Sequence, residues 1–289
     1  MRRKTLLGGL ALGLMILFAP CANAETYYVN NNQIEMTEEQ YNKMVELYGE
    51  KHTEYLTQEE FDYYKDKEIV DSSVIYVKEN YVDGELVSEE EVTESEYENS
   101  FSSYNEEASN TRAGTSGSHT TNYKKLMVNL VSLGNMKYNL IGHLQWRQVP
   151  SVRSYDVFAF YLQHFSYASV SGAQYAYTSG GQYTYNYNSG SQGYRGLSKG
   201  AGISMNLKDG SNITGFDMYI SATLTGDGSS YGHGNAYVSY QHAKTNLTRA
   251  QSMSYTLGNT GLGNVLIFSN SSLMNSYDGM GGVMVSGNF

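Results

Sequence analysis

The side chains best suited to proton transfer or metal binding are six histidines, His52, His119, His143, His164, His233 and His242. No HxxxH or HxH pair occurs among them, and the one cysteine is Cys21, so no ligand set with metal spacing is present and no metal is expected. Asp156, a histidine and one of many serines are the ingredients of a hydrolytic triad. No GxSxG elbow accompanies them, and a chain with five aspartates and no glutamate beyond Arg112 equips such a pocket sparsely. Gly258 to Gly263 lacks the lysine of a phosphate loop, and Asp227 to Gly232 offers too few oxygens for a calcium loop. No catalytic residue and no cofactor is therefore assigned. His233, between two glycines, reads as a solvated loop residue, and His143 and His242 read as strand histidines.

A different chemistry is suggested by Gln174 to Asn188, where Tyr175, Tyr177, Tyr183, Tyr185 and Tyr187 flank Gly180-Gly181. This stretch reads as a hairpin. A loop of the two glycines sets Tyr177 opposite Thr184 and separates the tyrosine sets onto opposite faces; a three-residue loop pairs Tyr177 with Tyr183 on one face. An exposed row of these five rings would suit a cell-wall polymer, a glycan or a protein surface, because tyrosine offers rigid area and a hydroxyl at low entropic cost. Cross-strand aromatic packing is the competing reading and the favoured one.

The elements that must carry these residues are mainly β. From about Tyr123 to Phe289, β-branched and aromatic runs alternate with Gly, Ser, Asn and Asp clusters, which predicts an antiparallel β-sandwich or jelly roll. Period two is clearest where Leu140, Gly142, Leu144 and Trp146 oppose Ile141, His143, Gln145 and Arg147. Asp209-Gly210, Asp227-Gly228 and Asp278-Gly279 mark turns, a sufficient reason for those aspartates.

The preceding segment, 25–98, reads as a small acidic α+β element. Thr37 with Gln40 and Thr57 with Glu60 form two capping boxes, each bracketed by an apolar staple, and Tyr41, Met44, Val45 and Tyr48 give the first helix one apolar stripe that Gly49 can end. Asp83-Gly84 predicts a hairpin between Val74 and Val87, after which two overlapping cap frames, at Ser88 and at Thr93, compete. Residues 99–122, rich in Ser, Asn, Thr and Gly, read as a polar linker in which Arg112 offers a cleavage point.

Residues 1–24 have the form of a secretory signal peptide. Arg2, Arg3 and Lys4 precede the apolar run Leu6 to Phe18, and Ala22-Asn23-Ala24 predicts cleavage after Ala24. Pro20 before Cys21 argues against a lipid anchor there. Between Glu25 and Thr111 stand 24 acidic residues against 5 lysines, whereas from Arg112 onward 5 aspartates face 11 basic residues. Such asymmetry allows the acidic segment to contact the basic β domain. The basic residues are scattered, which argues against nucleic acid.

With Met36 to Tyr41, Trp146, Arg153 to Val157, Tyr240 to Ala243 and Tyr277 to Val283 in view, the chain resembles a group of uncharacterised secreted proteins of Gram-positive bacteria, and Tyr237 to Leu257 is similar to bacteriocins of the lactococcin 972 type, which are small secreted β-sandwiches. The resemblance implies export and a β domain, and brings no activity. The leading expectation is a secreted, non-enzymatic binding protein. The alternative is a membrane-active, bacteriocin-like effector restrained by an acidic pro-segment, and an extracellular hydrolase comes third.

Overall fold

A computed structural model of the chain describes residues 2–4, 26–107, 119–210, 212–228, 230–258 and 265–289. They form two compact units, Met1–Lys67 and Glu68–Phe289. The apolar run Leu6 to Phe18 and the cleavage position after Ala24 lie outside the described residues. No helix among the described residues is long and apolar enough to cross a membrane.

In the first unit, β1 (Arg2–Lys4), β2 (Tyr27–Val29) and β3 (Glu35–Thr37) form an antiparallel sheet, followed by α1 (Glu38–Thr53) and α2 (Gln58–Tyr64). Both capping boxes close: Gln40 N donates to Thr37 Oγ1 at 3.2 Å while Thr37 N donates to Gln40 Oε1 at 3.0 Å, and Thr57 with Glu60 repeats the exchange at 3.3 and 2.9 Å. The stripe of α1 buries Met44 and Tyr48, Tyr48 meeting Tyr64 of α2 edge-on with ring centroids 5.7 Å apart, while Tyr41 stacks on Tyr28 of β2. Gly49 adopts φ 72°, a left-handed conformation that breaks α1 where the stripe ends, and one further helical turn follows.

The second unit begins with β4 (Ile69–Val82), β5 (Glu85–Val92) and α3 (Glu94–Glu107). It continues with β6 (His119–Gly134), β7 (Lys137–Trp146), β8 (Tyr155–Gln163), β9 (Phe165–Thr178), β10 (Gly181–Asn188), β11 (Tyr194–Leu197) and β12 (Gly200–Asn206). It ends with β13 (Ile213–Gly226), β14 (His233–Gln241), α4 (Arg249–Ser252), β15 (Tyr255–Leu257), β16 (Leu266–Phe268), α5 (Ser271–Met274) and β17 (Val283–Asn288). A seven-stranded sheet in the order β10-β9-β13-β7-β6-β4-β5 faces a five-stranded sheet, β11-β12-β8-β14-β17, across one core, and every pairing is antiparallel.

The alternation of β7 is realised: Leu140, Leu144 and Trp146 lie in that core with Phe158, Phe160 and Val238 of the opposite sheet. The sheets approach closely at Gly142, where an added Cβ would stand 2.9 Å from Val238 Cγ1 and 3.2 Å from Phe158, so a side chain there would force its neighbours to shift. On the other face of the five-stranded sheet, Val157 and Ala159 pack with Tyr255, Leu266, Phe268, Leu273 and Tyr277, which makes β15, β16 and α5 a third layer.

Two of the expected boundaries shift. The hairpin at Asp83-Gly84 forms, with both residues at positive φ, but it belongs to the β-sandwich, since β4 pairs along β6 from Ile69 opposite Val131 to Val82 opposite His119. The acidic segment 25–98 therefore divides at Lys67. Of the expected linker 99–122, residues 99–107 are helical, 119–122 open β6, and 108–118 lie outside the described residues. Polar composition reads as linker, yet a strand with one solvated face is equally polar at its exposed positions. Of the two competing cap frames the second is used, Glu96 N donating to Thr93 Oγ1 at 3.2 Å, and Tyr97 of α3 is buried against Tyr76 and Tyr123.

Candidate functional site

Among the described residues, three core-facing strand positions, and a fourth position one residue past the end of β14, carry an ionisable group instead of hydrocarbon. Lys124 is in phase with Leu126, Val128 and Leu130 of β6, Glu79 with Val77 of β4, Asp156 with Phe158 and Phe160 of β8, and His242 with Val238 and Tyr240 of β14. The sandwich thereby encloses a connected ionic network, and all four residues are at most 4 % exposed.

Lys124 is its hub. The ammonium lies 2.7 Å from Glu79 Oε1 and 3.8 Å from Glu89 Oε1, bonds to Asp278 Oδ2, and sits 5.3 Å from the centre of the Trp146 ring. Glu79 also accepts from the Tyr81 hydroxyl at 2.8 Å, and Glu89 accepts from Gly279 N at 3.0 Å. Asp278 Oδ1 accepts from His242 N at 3.0 Å, which joins the cluster to a second one. There Asp156 accepts from His242 Nδ1 at 3.0 Å, from Ala243 N at 2.9 Å and from the Tyr240 hydroxyl, to which Trp146 Nε1 donates at 3.2 Å. Asp278 thus has a different role from the turn residue its Asp-Gly pair suggests.

Three carboxylates around one amine leave the hub short of positive charge. The Asp278 carboxyl is pushed up to about 7: burial is the largest cause, Lys124 opposes the rise, and Glu89 and Glu79 add to it. Burial would depress the Lys124 ammonium, but Asp278, Glu79 and Glu89 outweigh it and hold its pKa well above that of a free lysine. Burial likewise opposes charge on His242, and Asp156 overcomes it, so the imidazole pKa is raised. Glu79, Glu89 and Asp278 stand close enough together to share a cation, and Lys124 supplies one. A cavity of about 340 Å³ lined by Val77, Glu89, Glu90, Gly279 and Gly281 opens beside the Glu89 end of the network.

The tyrosine hairpin takes a third register. Its loop is Ser179-Gly180, Thr178 stands opposite Gly181, Tyr177 opposite Gln182 and Tyr175 opposite Thr184, so the two tyrosine sets lie on opposite faces. Tyr175 and Tyr177 are buried: Tyr177 donates to Asp217 Oδ2 at 2.7 Å and Tyr175 meets Tyr219 edge-on at 5.0 Å, while Tyr219 stacks on His143 at 4.4 Å. Tyr185 and Tyr187 pack against the core, with Lys208 Nζ 4.6 Å from the Tyr185 ring centre, and Tyr183 alone of the five is exposed, at 55 %. The five rings form no common platform. Alternation separates them, and the third register follows from Gly181, at φ 130°, opening the strand instead of closing the loop.

No protein-family model matches the chain, and no curated protein matches it. Among solved structures the chain is similar to the enzymatically active domain of tailspike protein 4 of bacteriophage CBA120, with a TM-score of 0.24 and 6 % identity over 39 % of this chain and 15 % of that one. A likeness of that size carries no argument.

Proposed function

We propose that the chain is exported and acts as a non-enzymatic binding protein for a cell-wall or glycan surface, with β10 as the contact. The observation that supports this reading is the edge position of β10. From Gly181 to Asn188 the strand contains no charge, no proline and no bulge, the features that usually guard a free edge, and it exposes Tyr183, Thr184, Asn186 and Asn188. One flat ring beside amides, a hydroxyl and unpaired backbone groups is a surface suited to sugars or an extended chain.

Export follows from the pattern in residues 1–24, and N-terminal sequencing of protein recovered from the culture medium should read from Glu25. Binding is tested by sedimentation with peptidoglycan and by glycan arrays. Tyr183→Ala should weaken capture about tenfold, the usual worth of an exposed anchoring ring, and capture equal to that of the unchanged protein would remove β10 from the contact.

The pro-segment alternative has less support. Removing residues 25–111 would strip β4 and β5 from the seven-stranded sheet and deprive Lys124 of Glu79 and Glu89. A hydrolytic triad centred on Asp156 has less again, because Asp156 and its histidine partner His242 are 0 % and 3 % exposed behind Trp146 and Tyr240. A general base must reach its substrate.

A further inference from the structure

The hub brings an amine, a carboxyl group and a second carboxylate together with water excluded. We propose that Lys124 and Asp278 become joined by an intramolecular amide bond, Nζ to Cγ, with Glu79 as the proton carrier and one water molecule released.

Three observations carry it. Lys124, Glu79 and Asp278 all have side chains at 0 % exposure, Lys124 Nζ contacts Asp278 Oδ2, and Glu79 Oε1 lies 2.7 Å from the same nitrogen. Neither reacting group is free to turn away. Asp278 is tied through Oδ1 to His242 N, its own N donates to His242 O at 2.9 Å, and Lys124 lies along the Trp146 ring. Held in this way, two groups react as if at an effective concentration of roughly 10⁵–10⁸ M, which offsets the cost of condensing a carboxyl group and an amine. Exclusion of water then withholds the reagent that would hydrolyse the product.

The step balances without any oxidant, reductant or activating group. Asp278 enters as the neutral acid, the form that burial among carboxylates favours. Glu79 takes one proton from the Lys124 ammonium, and the freed nitrogen pair attacks Asp278 Cγ while the carbonyl π pair moves onto oxygen. Glu79 passes its proton to the acid hydroxyl, the C–O bond breaks with its electron pair, and water leaves as the carbonyl re-forms. The nitrogen gives up a second proton, which Glu79 keeps. The products are a neutral amide, water and protonated Glu79, and the net charge is unchanged. The Tyr81 hydroxyl, bonded to Glu79 Oε2 at 2.8 Å, positions the carrier.

The bond would tie the seven-stranded sheet, through β6, to the loop that leads into β17 of the five-stranded sheet, across 154 positions of sequence. Beyond Cys21 the chain has no cysteine, so this link would supply the covalent closure a disulfide cannot.

Mass spectrometry of the full, denatured protein decides the matter. The expected mass is one water below that of the chain with the same N-terminus. Trypsin should then yield a branched peptide, Ala113–Lys125 joined to Ala250–Phe289, because the acylated Lys124 is no longer cut. Lys124→Arg and Glu79→Gln should give the full mass and two separate peptides. The proposal is overturned if the unchanged protein has the full mass. It is equally overturned if the missing water maps within Ala250–Phe289 alone, which is the mark of Asp278-Gly279 closing on its own backbone. The unchanged protein answers by itself if either variant fails to fold, and a branched peptide from folded Glu79→Gln would remove Glu79 from its role.

Discussion

Lys124→Met should lower the unfolding free energy of the second unit by at least about 3–5 kcal/mol near pH 8, because removing one side of a buried ion cluster leaves the other uncompensated. Glu79 and Asp278, with no exposed side-chain surface, and Glu89, 16 % exposed, would face one another with no cation between them. The amide bond adds to the loss, since a covalent closure across 154 positions is worth about 5 kcal/mol in the chain-entropy account. The deficit also has a direction in pH. A carboxyl group whose folded pKa is raised from 3.8 to about 7 keeps its proton in the folded state while the unfolded state loses it, so stability falls as pH rises through that window. Without the ammonium the window extends further upward, so the deficit should shrink toward pH 4 and widen toward pH 8. Urea melts at the two pH values check this, and a loss under about 1 kcal/mol at pH 8 would contradict the burial and pairing described. A bonded Asp278 has no proton to exchange, so the unchanged protein should lack the decline that an unbonded cluster would show.

Local grammar was legible in the sequence wherever the signal is self-contained. The boxes at Thr37 and Thr57, the turn at Asp83-Gly84 and the alternation from Leu140 to Trp146 each depend on neighbours within a few residues, and each is realised. Partnership was not legible. Nothing in β4 itself says that it lies beside β6, because a strand's period names its faces and not its neighbour. The hub escaped for a related reason, although a usable signal existed. Lys124, Glu79 and Asp156 each occupy the apolar phase of a strand, His242 continues that phase one residue past β14, and a charge in that phase must be paired on the other side of the core. Composition treats Lys124-Lys125 as a basic pair, while the period separates a buried residue from a half-buried one beside it. Asp278 had a competing explanation in its glycine neighbour, and no strand phase was available to overrule it.

Asp156→Ala should be the other severe substitution, with the opposite pH behaviour. It withdraws one acceptor from three buried donors at once, the Tyr240 hydroxyl, His242 Nδ1 and Ala243 N, and the expected cost is about 3–5 kcal/mol. Burial alone would push the His242 pKa down; Asp156 is the largest influence raising it above the ordinary 6.5. A raised folded pKa means that the pairing stabilises the fold fully below about pH 6.5 and is lost as pH climbs through the folded value. The deficit of Asp156→Ala should therefore be larger near pH 5.5 than near pH 9, whereas that of Lys124→Met grows with pH. Asp156→Asn separates the two components of the loss. Its amide oxygen can stand in for Oδ1 and accept from Ala243 N, while the NH2 that replaces Oδ2 can donate to the Tyr240 oxygen, so the cost should fall to about 1–3 kcal/mol, but a neutral side chain cannot hold an imidazolium and the slope with pH should persist. An NMR titration of His242 reports the same difference directly, with its pKa lower in Asp156→Asn than in the unchanged protein. Equal pKa values in the two would mean that the Asp156 charge does not set the ionisation of the buried imidazole.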